Sequence, residues 1–117
     1  MTKYHSRKTE VNGIMFDSKL EAERYVQLRL LQKAGEISDL KLKPQFQIFM
    51  GYTDSETGER HGSRYYEADF KYLDLATHCV IVEDTKGIET DVFRLKWELV
   101  QSEYPQYLFR LLKRSDV

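Results

Sequence analysis

The chain has 117 residues, which is enough for one domain with a single hydrophobic core and too few for two. Its content of 41% hydrophobic and 32% charged residues is typical of a globular protein and excludes an intrinsically disordered chain. The formal net charge is −1, so affinity for a nucleic acid has to come from local basic patches. No apolar run approaches the ~20 residues of a membrane span and no signal peptide opens the chain, so we expect a cytoplasmic protein without a membrane partner.

The first eight residues form a basic segment without periodicity, with the cations Lys3, His5, Arg7 and Lys8. Such a segment is commonly a frayed, solvated terminus. Asn12-Gly13 then predicts a two-residue β-hairpin, because this pair tolerates the positive φ angles of a type I′ turn.

A first helix is predicted from Asp17 or Ser18 to Ala34, where Gly35 supplies a left-handed C-terminal cap. Ser18 and Glu21 fit a capping box, in which the Glu21 side chain returns to the backbone of Ser18. Glu21 also lies on the apolar face of the helix and could point over the edge of the core. Both interpretations stay open at this point.

Two strands and a loop are predicted after the helix. Pro44 precedes an edge or half-buried strand from Gln45 to Met50. The polar segment from Thr53 to Ser63 is predicted to be a mobile loop. A second strand follows from Tyr65 to Leu73, and alternation places its apolar residues on one face: Tyr66, Ala68, Phe70 and Tyr72.

A third strand carries the charges around which a site can form. It starts with an apolar run from Cys79 to Val82, and alternation then places Asp84 and Lys86 on the face of Val82. Charges at the end of a buried strand must meet each other, an ion or a charged substrate. An ion pair at a solvated strand end is the purely structural alternative. We expect Cys79, the single cysteine, to be a reduced thiol packed in the core.

The register between the second and third strands favours a cation site. If the connection is the four residues from Leu75 to His78, an antiparallel pairing places Asp69 directly opposite Asp84. Facing carboxylates repel each other, and a hard divalent cation relieves that repulsion. The sequence therefore predicts a cation between Asp69 and Asp84, with Lys86 two residues further on.

A second helix and a last strand complete the chain. The helix is capped by Thr90 and ends before Pro105, and Trp97 is predicted to be a core anchor. Its predicted apolar face consists of Val92, Phe93, Leu99 and Val100. The last strand is predicted from Tyr107 to Leu112. This order of hairpin, helix, three strands, helix and strand predicts an α/β sandwich about one mixed sheet.

Glu21 on the first helix, Asp69 on the second strand and Asp84-Thr85-Lys86 on the third resemble the PD-(D/E)XK nuclease superfamily, which includes restriction endonucleases and Holliday-junction resolvases. Four segments resemble a small phage and prophage family within it: Phe16 to Ala22, Ala34 to Ile37, Lys43 to Phe46 and Tyr66 to Phe70. The resemblance spans almost the whole chain. It implies a single domain over residues 1–117, with a basic arm over 1–8 and a restriction-endonuclease-like α-β-β-β-α-β core in which two helices flank one mixed sheet.

The resemblance also implies hydrolysis of phosphodiester bonds with Mg²⁺ or Mn²⁺ as cofactor. Asp69, Asp84 and the backbone carbonyl of Thr85 would hold the cation, and Glu21 would bind it directly or through water. Lys86 would orient or deprotonate the attacking water. Ala68 stands where the superfamily often has proline, and Asp84 fills the Asp-or-Glu position.

The implied substrate is DNA, with a Holliday junction or another branched DNA of phage recombination as the expected form. The basic arm would bind DNA phosphates through Lys3, Arg7 and Lys8. Gln45 would lie at the rim of the site, and Lys96 would either contact a phosphate or be a solvated helix lysine. Symmetric cutting of two strands would require a homodimer. The alternatives are a non-catalytic nucleic-acid-binding module and a protein-interaction domain with a structural ion pair at Lys86.

Overall fold

The computed structural model describes residues 7–117, which form two helices and ten strands. The helices are α1 (Lys19–Lys33) and α2 (Asp91–Glu103), and a 3₁₀ turn over Arg114–Asp116 closes the chain. The strands are β1 (Thr9–Val11), β2 (Ile14–Phe16), β3 (Ile37–Leu42), β4 (Gln45–Phe49), β5 (Tyr52–Thr53), β6 (Arg60–His61), β7 (Arg64–Glu67), β8 (Phe70–Asp74), β9 (Cys79–Thr85) and β10 (Leu108–Leu112).

Four strands form the main sheet, in the order β10-β9-β8-β3. β8 pairs antiparallel with both β3 and β9, whereas β9 and β10 are parallel and are joined by a crossover that contains α2. The protein is therefore a mixed α/β protein with two helices and a mixed sheet, as predicted. The prediction of one sheet was wrong, because within residues 7–117 β1-β2, β4-β7 and β5-β6 form separate two-stranded pairs.

Two hydrophobic clusters cover opposite faces of the main sheet, because neighbouring residues of β9 point in opposite directions. Ile81 belongs to the cluster beneath α1, and Val82 belongs to the cluster beneath α2. The α1 cluster contains Phe16, Ala22, Tyr25, Leu28, Ile37, Phe70 and Tyr72. The α2 cluster contains Phe46, Tyr66, Ala68 and Val100, with Trp97 packed against it as the predicted anchor.

The local start and stop signals are confirmed. Asn12 and Gly13 have φ angles of 51° and 81°, as a type I′ turn requires. Ser18 caps α1 by accepting a hydrogen bond from the Glu21 amide, and Gly35 follows the helix with a φ of 80°. Thr90 caps α2 in the same way.

The strand assignments before the site need two corrections. The first strand of the main sheet is β3, over residues 37–42. The strand predicted from Gln45 to Met50 is β4 (Gln45–Phe49), which pairs only with β7. The predicted continuous strand from Tyr65 to Leu73 is broken at Ala68 and Asp69. Because of this break, Tyr66 packs in the α2 cluster and Phe70 packs in the α1 cluster, so they do not share a face.

Three further predictions were wrong. The segment from Thr53 to Ser63 contains the ribbon β5-β6, in which the rings of Tyr52 and His61 stack with centroids 4.5 Å apart. Cys79 is exposed, because it lies at the edge where β9 begins. On α2, Val92 and Leu99 are exposed and only Phe93 and Val100 of the predicted face pack inward.

No helix within residues 7–117 is long and apolar enough to cross a membrane.

Candidate metal centre

The predicted register at the site is confirmed. Asp74 pairs with Cys79, so the connection between β8 and β9 consists of the four residues 75–78. Phe70 pairs with Glu83, and the same register places Asp69 opposite Asp84, one step beyond the end of β8. The two aspartates therefore face each other at one end of the main sheet, where Asp69 lies in the short segment between β7 and β8.

Asp69 is fixed by the strand that it faces. Its Oδ2 atom accepts hydrogen bonds from both the amide nitrogen and the Oγ1 hydroxyl of Thr85, each at 2.7 Å. Its own amide donates to the carbonyl of Glu83, and its carbonyl accepts from the amide of Lys43. Asp69 is thus held by its backbone and by one carboxylate oxygen. The Asp69 carboxylate also faces the side chain of Asp84, and a hydrogen bond between the two is among the causes that raise the pKa of Asp84.

Asp84 is almost completely buried, with 2% of its surface exposed. Its Oδ2 atom accepts a hydrogen bond from the hydroxyl of Tyr66. Burial, followed by the charge of Asp69, raises the pKa of Asp84 to about 8, although Tyr66 and Lys86 act in the opposite direction. Burial and the neighbouring Asp84 also raise the pKa of Tyr66, so this residue remains a hydrogen-bond donor. In the absence of a cation, Asp84 therefore carries a proton at neutral pH.

Glu21 points into the site and does not complete a capping box. Its carboxylate lies 2.9 Å from the Nζ atom of Lys43, which also lies 2.9 Å from Asp17 Oδ2. Glu21 is 3% exposed, and burial followed by the charge of Asp69 raises its pKa. No hydrogen bond joins the Glu21 side chain to the Ser18 amide in residues 7–117. Of the two interpretations of Glu21, the structure therefore favours the one directed toward the site.

Lys86 follows Asp84 by two residues and is half-buried. Its Nζ atom lies 4.8 Å from the centroid of the Phe93 ring, and its backbone amide donates to the carbonyl of Leu112. Within residues 7–117 no acidic oxygen lies within 4.0 Å of this ammonium, so the Asp84–Lys86 ion pair of the purely structural alternative is not formed. The charge of Lys86 is still felt at Asp84, where it lowers the pKa.

The predicted DNA contacts are located differently. Gln45 is exposed at the edge of β4 and donates to Glu67, two residues before Asp69. Lys96 is exposed on α2. Lys43 lowers the pKa of Asp17, and Lys8 and Lys86 add smaller contributions of the same sign, so Lys8 lies on the side of the acidic residues. Lys3 lies outside the described residues, and Arg7 is exposed at their beginning.

Three neighbours of the site were not predicted from the sequence. Lys43 and Asp17 are joined by their ion pair, and Tyr66 holds Asp84. Lys43 follows a strand whose pattern is interrupted by a bulge, and Asp17 has the appearance of a helix-capping residue. The only available signal for Tyr66 was its place in the alternating run two residues before Ala68.

A second buried charge pair stands beside the site, on the α1 face of the sheet. The guanidinium of Arg24 donates to both oxygens of Glu83, at 2.7 Å each, and the Tyr72 hydroxyl also donates to Glu83. Glu83 has no exposed surface. A bidentate pair with a third donor satisfies a buried carboxylate. We therefore assign this group to holding α1 against β9.

The donor set fits a divalent cation in its chemistry. Within residues 7–117, no three or more His, Cys, Asp and Glu side chains are arranged to hold a metal ion as they stand. Nevertheless, Oε1 of Glu21 is buried, and its cationic neighbour, Lys43 Nζ at 2.9 Å, donates no well-aligned hydrogen bond to it. The charge of Asp69 raises the pKa of Asp84, so the two carboxyl groups do not both ionise readily without a cation. Unsatisfied carboxylate oxygens are the ligands that Mg²⁺ and Mn²⁺ prefer.

The fold and the site define a small mixed α/β protein with a buried pair of facing aspartates at the end of its sheet. A family model described as "Protein of unknown function (DUF1064)" matches residues 1–116, so the chain belongs to this family. No curated protein and no solved structure matches the chain.

Proposed function

We propose that this protein is a metal-dependent endonuclease that hydrolyses phosphodiester bonds in DNA. The observation that carries the proposal is the confirmed register, which brings Asp69 opposite the buried Asp84 with Lys86 two residues away. In a buried position, two facing carboxyl groups without a cationic partner avoid repulsion only if one of them keeps a proton, as Asp84 does here. A divalent cation shared between them explains why the chain has this arrangement.

The order of elements supports the resemblance to the PD-(D/E)XK superfamily. Along the chain, the two helices and the four strands of the main sheet follow as α1, β3, β8, β9, α2 and β10. This order of helices and strands corresponds to the α-β-β-β-α-β core that the resemblance implies. The pair β4-β7 and the ribbon β5-β6 are then an insertion between the first and second strands of that core.

Asp69, Asp84, the Thr85 carbonyl and Glu21 are the groups that would hold Mg²⁺ or Mn²⁺. A divalent cation bound there supplies Lewis acidity toward the scissile phosphate and lowers the pKa of water. The chain contributes orientation, because Thr85 fixes one oxygen of Asp69 and Tyr66 fixes one oxygen of Asp84. Preorganised ligands of this kind need little rearrangement when substrate binds.

Lys86 is the residue that we propose to act on the reacting atoms. Its ammonium lies over the Phe93 ring, 4.8 Å from the ring centroid, and is not neutralised by an acidic partner within the described residues. A cation held in this way can bind a phosphate oxygen and orient the attacking water. Lys8, whose charge lowers the pKa of Asp17, and the exposed Gln45 are the groups that we propose to extend the surface for the DNA backbone. A homodimer acting on branched DNA completes the proposal.

The test is a cleavage assay on branched, linear and single-stranded DNA with Mg²⁺, Mn²⁺ or EDTA. We expect cleavage that depends on the metal and is lost in Asp69→Asn. Asp39→Asn is the matched control, because Asp39 is an exposed strand residue. Metal-independent DNA binding without cleavage of any substrate would favour the non-catalytic module, and neither binding nor cleavage would favour the protein-interaction domain.

A further inference from the structure

Lys43 brings a positive charge into the candidate metal centre from an unexpected position. It follows β3 directly and has a φ of 55°, which turns the chain sharply toward β4. Its amide donates to the carbonyl of Asp69, so its backbone is tied to one of the two facing aspartates. The side chain is therefore anchored at the site and is not a free surface lysine.

The Lys43 ammonium neutralises the acidic residues on the α1 side. It lies 2.9 Å from both Asp17 Oδ2 and Glu21 Oε1, and 3.3 Å from Glu21 Oε2. Within residues 7–117 no other cationic nitrogen lies within 4.0 Å of Glu21. The side chain of Glu21 is 4% exposed and that of Lys43 is 34% exposed, so the ammonium lies at the boundary between the site and the solvent.

We propose that Lys43 is an internal competitor of the divalent cation, because its ammonium occupies the carboxylate of Glu21 that the cation needs. This inference rests on the proposed metal-dependent function. A divalent cation bound by Glu21 would stand within a few ångströms of the ammonium, and like charges at such a distance repel. Lys43 must therefore leave Glu21 when the cation binds, and its exposed position gives it a path to solvent.

The physical consequence is a lower affinity for metal in the free protein. Binding has to replace the ion pair between Lys43 and the buried carboxylate of Glu21 before Glu21 can act as a ligand. Coupling free energies between interacting binding events correspond to roughly 5-fold to 150-fold in affinity. The pair with Asp17 can survive, since the Asp17 side chain is 73% exposed and can follow the lysine. We therefore expect Lys43 to lower the affinity for the cation by a factor near the lower end of this range, about fivefold.

The test measures Mn²⁺ binding through the melting temperature, independently of any cleavage. Lys43→Met removes the charge and keeps the length of the side chain, and it introduces no new strain at the positive φ because methionine is no more restricted there than lysine. We expect the Mn²⁺ concentration that gives half of the thermal shift to fall by about fivefold or more. Lys43→Gln provides a second neutral variant that can still donate to Asp17, and it should shift the midpoint in the same direction.

Two controls isolate the competition at Glu21. Lys41→Met removes a positive charge from an exposed position two residues earlier and should leave the midpoint unchanged. In a Glu21→Gln background, Lys43→Met should have little further effect, because the contested carboxylate is absent.

An unchanged or higher midpoint in both neutral Lys43 variants overturns the inference while the metal site itself stands. An equal fall in Lys41→Met also overturns it, because the effect would then be general electrostatics. A thermal shift that is absent at every Mn²⁺ concentration, in the wild type and in the Lys43 variants alike, counts against the metal site and therefore against the proposed function as well. A shift that appears only in the Lys43 variants supports the competition in its strongest form.

Discussion

Replacement of Asp84 by asparagine should stabilise the metal-free protein at alkaline pH. Burial and the facing Asp69 raise the pKa of Asp84 from 3.8 to about 8, so folding favours its protonated form. An asparagine side chain has the shape of that form and can still accept from the Tyr66 hydroxyl. The substitution therefore removes a charge that the folded protein tolerates poorly and keeps the packing.

The sign and size of the effect follow from the pKa. Below pH 3.8 the carboxyl is protonated in both states, and the wild type has its full stability. As the pH rises toward 8, the unfolded chain releases the proton and the folded protein retains it, so the wild type loses stability. Each pKa unit corresponds to roughly 1.4 kcal/mol, and relaxation of the site with entry of water reduces the total. We expect the unfolding free energy of Asp84→Asn to exceed that of the wild type by about 2 kcal/mol or more at pH 8, and the two free energies to be similar near pH 4.

The measurement is urea unfolding followed by circular dichroism at several pH values, in EDTA and in Mn²⁺. In Mn²⁺ the wild type should recover stability at pH 8 and the variant should not. The control is Asp39→Asn, the same substitution at an exposed strand residue. Equal stability of Asp84→Asn and wild type across the whole pH range in EDTA would refute the reasoning about the buried carboxylate pair.

Three further predictions concern the surroundings of the pair. Lys86→Met removes the ammonium that lies over the Phe93 ring and keeps the length of the side chain. It should reduce cleavage by roughly 100-fold or more while DNA binding, measured by anisotropy, changes little; wild-type cleavage would show that the ammonium is not used. Glu21→Gln should abolish most cleavage with less than about 1 kcal/mol change in unfolding free energy, whereas Ser18→Ala should lower the unfolding free energy by roughly 1 kcal/mol and spare cleavage; wild-type cleavage by Glu21→Gln would show that this carboxylate is not a ligand. Arg24→Met should lower the unfolding free energy, measured with urea, by roughly 3 kcal/mol because it leaves the buried Glu83 unpaired. Arg29→Met, at an exposed position of the same helix, should lower it much less.

The sequence predicted those features that depend only on residues close together in the chain. Asn12-Gly13 specifies its turn through backbone conformation, and the helix caps at Ser18 and Thr90 each depend on one side chain and an amide three residues away. The facing of Asp69 and Asp84 could be predicted because it follows from the length of one short connection. These signals need no knowledge of the rest of the fold.

Features that depend on distant segments were not predictable. Strand β3 was missed because a bulge between Ser38 and Lys41, with Asp39 at a φ of 57°, interrupts its alternation. The break at Asp69 lies inside a run whose apolar residues alternate without interruption from Tyr66 to Tyr72, and it becomes visible only when β7 and β8 pair with different partners. The pair of Arg24 with Glu83 joins residues 59 positions apart. Such contacts require the three-dimensional fold.

The same limit applied to the site. Asp69, Asp84 and Lys86 could be proposed from neighbouring strands, whereas the role of Glu21 stayed ambiguous until the helix had a position relative to the sheet. The structure turns its carboxylate toward Lys43 and away from the backbone of Ser18. Lys43 itself gave no signal, because a lysine before a proline in a turn is usually solvated.

The central claim, that the facing aspartates share a divalent cation, is tested most directly by counting bound Mn²⁺. Electron paramagnetic resonance reports free Mn²⁺ during a titration, and it requires neither DNA nor catalysis. We predict that the wild-type protein and Asp39→Asn bind Mn²⁺ and that Asp69→Asn binds it at least tenfold more weakly, since one of the two charged ligands is gone. Wild-type protein that leaves all Mn²⁺ free at millimolar concentration, or an Asp69→Asn variant that binds as tightly as the wild type, would contradict the claim.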